Sequence, residues 1–207
     1  LLSIWARLIG PLLSVAGIPL RGAVGEWAEF GAQLAGVIVV MLLMPLAMRV
    51  LWDTTPLGPG ELRDRVLSIC ARHRVRVAQV LVWRTSYSMI NGALMGFVAP
   101  ARFILLTDAL LESLQLRHIE AVAAHEVAHA KRRHLPWLGF STLVCFIAIS
   151  SLAQTVAWAT DQDLDDTGTL ALIALVSIAA TAKAFGLISR RFEWQADAFA
   201  AVEMTRR

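Results

Sequence analysis

Three long apolar runs constrain this chain more than any other feature. Leu34 to Trp52 is apolar apart from Arg49 near its end, and Leu135–Ala159 and Thr169–Ile188 follow much later. About 20 apolar residues cross a bilayer, so each run is a candidate span, and Pro45 is tolerable inside the first. Lys183 lies near the end of the third, where its stem can snorkel toward the headgroups. A buried helical hairpin in a soluble core is the alternative for the last two runs, and their length and apolarity weigh against it. The stretch Leu1 to Leu20 is also apolar but carries Arg7, Gly10, Pro11, Gly17 and Pro19. It is read as a first span, ahead of an interfacial helix or the remains of a signal sequence.

Composition agrees, with 57% of the 207 residues hydrophobic and 17% charged, against about 45–50% and about 25% in soluble domains. The net charge of +3 is small, and the basic residues flank apolar spans instead of forming a basic face. A nucleic-acid partner is therefore not expected. Cys70 and Cys145 are isolated and make neither a disulfide framework nor a CxxC metal pair. The chain starts at Leu1 and stops at Arg207 just after a helical motif, so a longer parent protein with a truncated C-terminus is expected.

Residues 53–134 read as a folded domain outside the lipid. Thr54 to Gly60 is a turn-rich linker, and Glu61 to Arg74 has helical periodicity with Leu62, Val66, Ile69 and Cys70 on one side. Val75 to Trp83 alternates and is rich in β-branched residues, which predicts a strand. Ile90 to Gly96 and Arg102 to Thr107 predict further short strands, and Asp108 to Leu114 and Leu116 to Arg133 predict helices. Residues 135–188 then form a transmembrane hairpin around the acidic loop Asp161 to Asp166, and residues 189–207 a further helix. Arg63, Arg65, Arg72, Arg74, Arg76 and Lys131 to Arg133, with Arg190 and Arg191, fall on one side of this topology, and the acidic loop has no basic residue. Counting basic residues turns the domain toward the cytoplasm.

His125-Glu126-Val127-Ala128-His129 fits H-E-x-x-H on a predicted helix. Histidines at i and i+4 share one helix face and reach a single tetrahedral metal. The intervening glutamate can then reach the water that zinc activates near neutral pH, take its proton and pass it to a leaving amine. The bland alternative is two histidines on a solvated helix beside Lys131 to Arg133. The apolar surroundings of Ile119 to Ala128 make unpaired His and Glu costly there, and a metal offsets that cost.

A catalytic zinc takes three protein ligands and leaves one position open. His118 is two turns too far along the helix, His134 lies off the ligand face, and His73 belongs to another element with no partner pattern around it. His134 is expected to cap the helix and meet headgroups, with a role at the site as the alternative. Two spans return the chain to the side it left, so Glu193 comes back beside His129. Glu193 is assigned as the third ligand. Asp197, one turn further on, accepts a hydrogen bond from a zinc histidine. A surface helix with i,i+4 acids beside arginines is the alternative.

Asn91-Gly92-Ala93, Ile104 to Leu111, His125 to His129 with Arg133-His134, and Glu193 to Asp197 occur here in an order that resembles the HtpX-like family of membrane zinc metallopeptidases. That family also includes the CAAX prenyl endopeptidases. The resemblance runs from about Glu61 to Val202. It implies Glu193 as third ligand, an outer role for Asp197, a cytoplasmic catalytic domain and proteolysis at a membrane surface. Ala128 stands where the family often has glycine, and Gly92-Ala93 follows Asn91 where Ala-Phe is more usual, so subsite details do not transfer. Asn91 is either a substrate-backbone contact on an edge strand or an Asn-Gly turn.

The expected architecture is α-helical transmembrane with a small α+β zincin-like metallopeptidase domain. It comprises N-terminal membrane segments (1–52), the catalytic domain (53–134), a hairpin (135–188) and the ligand-bearing helix (189–207). The expected function is zinc-dependent endopeptidase action on membrane or misfolded proteins, with the lipid bilayer as partner and a bacterial inner membrane as site. The rival is a non-catalytic membrane scaffold holding a structural metal; an intact Glu126 and only three ligands argue against it. Within enzymes, a prenyl-protein endopeptidase would need a large enclosed cavity, which so few spans hardly supply. An intramembrane protease would place its motif within a span, whereas Lys131 to Arg133 border this one.

Overall fold

The computed structural model describes Val15, residues 23–160 and residues 166–206. The expected span 1–20 thus lies outside the described residues except at Val15, as does the acidic loop except at Asp166.

Among the described residues, three helices are long and apolar enough to cross a membrane: α1 (Ala23–Leu51, apolar from Leu34), α5 (His134–Ala159) and α6 (Thr167–Thr205). Between α1 and α5 lie four strands, β1 (Thr54–Pro56), β2 (Gln79–Trp83), β3 (Gly92–Met95) and β4 (Phe103–Thr107), and three shorter helices. These are α2 (Glu61–Arg72), α3 (Asp108–Ser113) and α4 (Leu116–Lys131). The sheet order is β1-β2-β4-β3, with β2 and β4 parallel and both outer pairs antiparallel. β4 is buried at every residue, which its unbroken run Phe103-Ile104-Leu105-Leu106-Thr107 anticipates for a central strand. Ile104 and Leu106 join Val66, Ile69, Ala123 and Val127 in the core beneath α2 and α4, while Phe103 and Leu105 fill the opposite face with Leu81. That second face is closed by the end of α1. Trp52 stacks on Trp83 at 4.2 Å, and the Arg49 guanidinium lies 5.5 Å from the centre of the Phe103 ring.

Four boundaries differ from the sequence expectation. Thr54–Pro56 pairs with β2 where a linker was expected, and Pro56 is tolerated because β1 is an edge strand. Residues 75–78 stay out of β2 because α2 closes with a Schellman arrangement, Arg74 N–H to Ala71 O and Val75 N–H to Cys70 O. β3 is shorter than 90–96, since Gly96 (φ 103) turns the chain away. Most consequential, residues 189–205 do not form a separate helix. They continue α6, which at about 1.5 Å per residue is roughly 58 Å long, nearly twice the ~30 Å hydrocarbon core.

The C-terminal half of α6 is fastened to α2. Glu203, 4% exposed, accepts hydrogen bonds from Arg72 Nε at 3.0 Å and Nη2 at 2.5 Å, and meets His73 Nε2 at 2.9 Å. This is the partner that the sequence did not reveal for His73. Arg72 is half exposed, so the cluster is worth about 1–2 kcal/mol. Glu203→Ala should therefore lower the thermal midpoint by a few degrees; an unchanged midpoint would show that the cluster fastens nothing.

Candidate active site

Two helices bring the site together. His125, Glu126 and His129 lie on α4, and Glu193 and Asp197 lie on the part of α6 that packs beside it. His125 Nε2 and His129 Nε2 are 3.1 Å apart, and Glu193 Oε2 is 3.3 Å from the first and 3.7 Å from the second. Ligands at 2.0–2.1 Å from a tetrahedral ion sit about 3.3–3.4 Å from one another. The spacing of these three atoms therefore suits one small metal ion. The donor chemistry, two imidazoles and a carboxylate, suits zinc.

The outer nitrogens of both histidines are also engaged. Asp197 Oδ1 lies 2.9 Å from His125 Nδ1. His134 Nδ1 lies 3.1 Å from His129 Nδ1, and its Nε2 lies 3.2 Å from Gln195 Oε1. One set of tautomers satisfies these contacts. His125 donates from Nδ1 to Asp197, His129 donates from Nδ1 to His134, and His134 donates from Nε2 to Gln195. In that set each Nε2 that faces Glu193 is left to accept a metal ion.

His134 is the residue that sequence reasoning underrated. It is buried at 3% exposure and stacked on Phe192, with ring centroids 4.5 Å apart. Regular helical spacing puts it off the ligand face, but α4 ends at Lys131 and Arg133 adopts a left-handed conformation (φ 56), which turns His134 back toward His129. Pro136, in the first turn of α5 where proline is tolerated, marked the helix restart. Gln195 was passed over too, and its (i, i+2) offset from Glu193 carried no signal. His118 stays exposed on α4, away from the cluster.

Glu126 sits between the histidines and the sheet. Its Oε2 accepts a hydrogen bond from Leu94 N–H at 2.8 Å. Burial pushes its carboxyl up to about 7, against the pull of the Leu94 N–H. A carboxylate with a pKa near the working pH is poised to accept and return a proton. β3 comes this close to α4 because Gly92 has no side chain; a Cβ there would fall 2.5 Å from Val122 Cγ1.

β3 is an edge strand with β4 on one side only. Asn91 immediately precedes it, and its backbone is locked by Thr107: Thr107 N–H and Oγ1 donate to Asn91 O, and Asn91 N–H donates to Thr107 Oγ1. The same Oγ1 caps α3 through Leu110 N–H. A hollow of about 330 Å³ opens over Asn91, Gly92, Leu94, Glu126, Leu135 and Glu193. Just before β3, Asp108 braces the loop at 85–88 with hydrogen bonds from Thr85 Oγ1 and from the Thr85 and Tyr87 amides. These outweigh burial and hold its carboxyl down at about 2.

Comparison with known proteins gives a consistent picture. The model of Peptidase family M48 matches residues 58–207. A CAAX prenyl protease 1 homolog from Arabidopsis thaliana is 30% identical over 186 residues, covering 79% of this chain and 42% of that protein. A Protease HtpX homolog from Aeropyrum pernix is 28% identical over 163 residues, covering 73% of this chain and 50% of that protein. The crystal structure of S. mikatae Ste24p superposes with a TM-score of 0.64 at 22% identity, over 97% of this chain and 53% of the other, a likeness of fold. The chain thus spans about half the length of the curated relatives it matches.

Proposed function

Because this chain belongs to peptidase family M48, we propose that it is a membrane-bound zinc metalloendopeptidase that hydrolyses peptide bonds of membrane or misfolded proteins. The observation that carries the reading is the convergence of His125, His129 and Glu193 beside Glu126, beneath the free edge of β3. His125 Nε2, His129 Nε2 and a Glu193 oxygen hold the metal. Zinc there supplies a Lewis acid and lowers the pKa of water to about 7. Glu126 takes the proton of the attacking water and returns it to the leaving amine. An extended substrate adds to β3 as a further strand, with Asn91 contacting its backbone. The catalytic domain faces the cytoplasm, in keeping with the basic flanks of the spans, and a bacterial inner membrane is the proposed location.

Asp197 and His134 orient the two ligand rings. Removing such outer partners weakens metal binding about 10–100-fold. Asp197→Ala and His134→Ala should each show that loss in a competitive chelator titration, while Tyr87→Ala, remote from both rings, should show none.

Cleavage of a prenylated protein is a second reading, favoured by the similarity to CAAX prenyl proteases. Faster turnover of a prenylated peptide than of its unprenylated twin would select it. The proposal itself is tested by loading the detergent-solubilised chain with zinc, measuring one equivalent, and following cleavage of an unfolded protein through chelation and zinc return. Cleavage indifferent to the chelator, with the metal gone, would refute it.

A further inference from the structure

The hollow over the catalytic residues does not end at them. Leu94, His129 and Leu135 line it and also line a second, larger hollow of about 600 Å³. The two form one groove that follows the outer edge of β3 and passes beyond it along Gly96 to Val98. The charge of the second hollow is one-sided. Arg74, Arg102, Lys131 and Arg133 line it, and no acidic side chain among the described residues does. Arg102 is spent on the wall itself, its guanidinium donating to Gly96 O, Phe97 O and Arg76 O. Arg74, Lys131 and Arg133 are exposed and form no ion pair among the described residues.

The backbone makes the placement of two of these cations unusual. Arg74 and Arg133 each follow the end of a helix, α2 and α4, and both adopt the left-handed conformation with φ 56. Glycine is the ordinary occupant of that position. Both helices instead carry arginine there, and both arginines line the same hollow. A residue held where its side chain is disfavoured points toward function. Gly96, by contrast, is required. Its φ is 103, and a Cβ would fall 1.9 Å from Ala101 O, so this turn swings the chain away from the sheet and leaves the hollow open.

We propose that this basic hollow is a specificity subsite, which selects an acidic side chain in the stretch of substrate that runs along β3 past Leu94. The proposal rests on the peptidase reading above and names a substrate class for it. The edge of β3 supplies the track. Leu94 N–H points away from β4 toward Glu126, and in an antiparallel ladder the residue two positions back, Gly92, faces the same way. A peptide added to that edge advances about 3.3 Å per residue, so a side chain roughly two to four residues from the scissile bond lies over the hollow. An Asp or Glu there meets three cations that have no carboxylate of their own. Exposed pairs are each worth a few-fold at most, so two or three together give about a tenfold preference.

The test uses fluorogenic peptides that differ at one position, Asp, Asn or Lys, walked along both sides of the scissile bond. Wild type should cleave the Asp peptide about tenfold better than the Lys peptide, in kcat/KM, at one or two positions on one side only. The variant Arg74→Gly/Arg133→Gly removes both charges while installing the residue the backbone favours, so its melting temperature should hold or rise. Its Asp-to-Lys ratio should fall to within about twofold. Binding of the same peptides to the Glu126→Gln chain, followed by fluorescence anisotropy in neutral detergent, reads the preference without turnover. Absence of cleavage with the binding preference intact would refute the peptidase reading and leave the charge-selective groove standing. Equal cleavage and equal binding of all three peptides would overturn the subsite. Equal handling of the peptides together with stimulation by phosphatidylglycerol vesicles, lost in the double variant, would overturn it too and reassign the cations to a lipid headgroup.

Discussion

Glu193→Ala should leave the purified chain without bound zinc. A catalytic zinc site is held by three protein ligands, and the geometry offers two imidazole nitrogens and one carboxylate oxygen in mutual reach. Alanine removes both a ligand and the negative charge that balances the ion. Losing only an outer partner weakens such sites about 10–100-fold, so loss of the ligand itself should exceed that range and strip the metal on dialysis. The fold should survive, because the Glu193 side chain is half exposed and anchors nothing in the core. The neighbouring Trp194, 65% exposed, provides the control: Trp194→Ala should keep one equivalent of zinc. Full metal retention in Glu193→Ala would overturn the ligand assignment.

Much of this arrangement was legible in the sequence, for identifiable reasons. The histidine pair could be read because the 3.6-residue period puts i and i+4 on one face, and Glu193 because two spans must bring the chain back to the side it left. β4 fell within the short strand expected at Arg102 to Thr107. What escaped was set by backbone conformations that leave no compositional trace. Arginine at Arg74 and Arg133 gives no hint of a left-handed turn, yet the first shortens β2 and the second folds His134 back onto His129. The linker residues Thr54 to Pro56 became a strand only because β2 offered a free edge, a tertiary reason that no local pattern encodes. The Leu94 N–H bond to Glu126 was equally invisible, since it depends on the missing Cβ of Gly92 against Val122. The continuity of α6 could not be read either. Arg190 and Arg191 suggested the end of a span, and the helix simply carries on past them into the site.

Glu126→Gln carries the second large effect. Glutamine has the shape of glutamate and still offers an oxygen to Leu94 N–H, so the groove and the fold should persist. It touches none of the three metal-facing atoms, so zinc should stay. It cannot take a proton from water at neutral pH. General base and acid assistance is worth about 10²–10⁴ in rate, and turnover should fall by that factor. The scaffold alternative makes the opposite forecast, because a structural metal has no use for the base.

The most direct test of the account is therefore cleavage of an unfolded protein by the zinc-loaded wild-type chain beside Glu126→Gln, with zinc measured in both samples. The account predicts one equivalent of zinc in each, cleavage by the wild type, and a rate at least about a hundredfold lower in the variant. Equal cleavage by the two proteins at equal zinc content would contradict it.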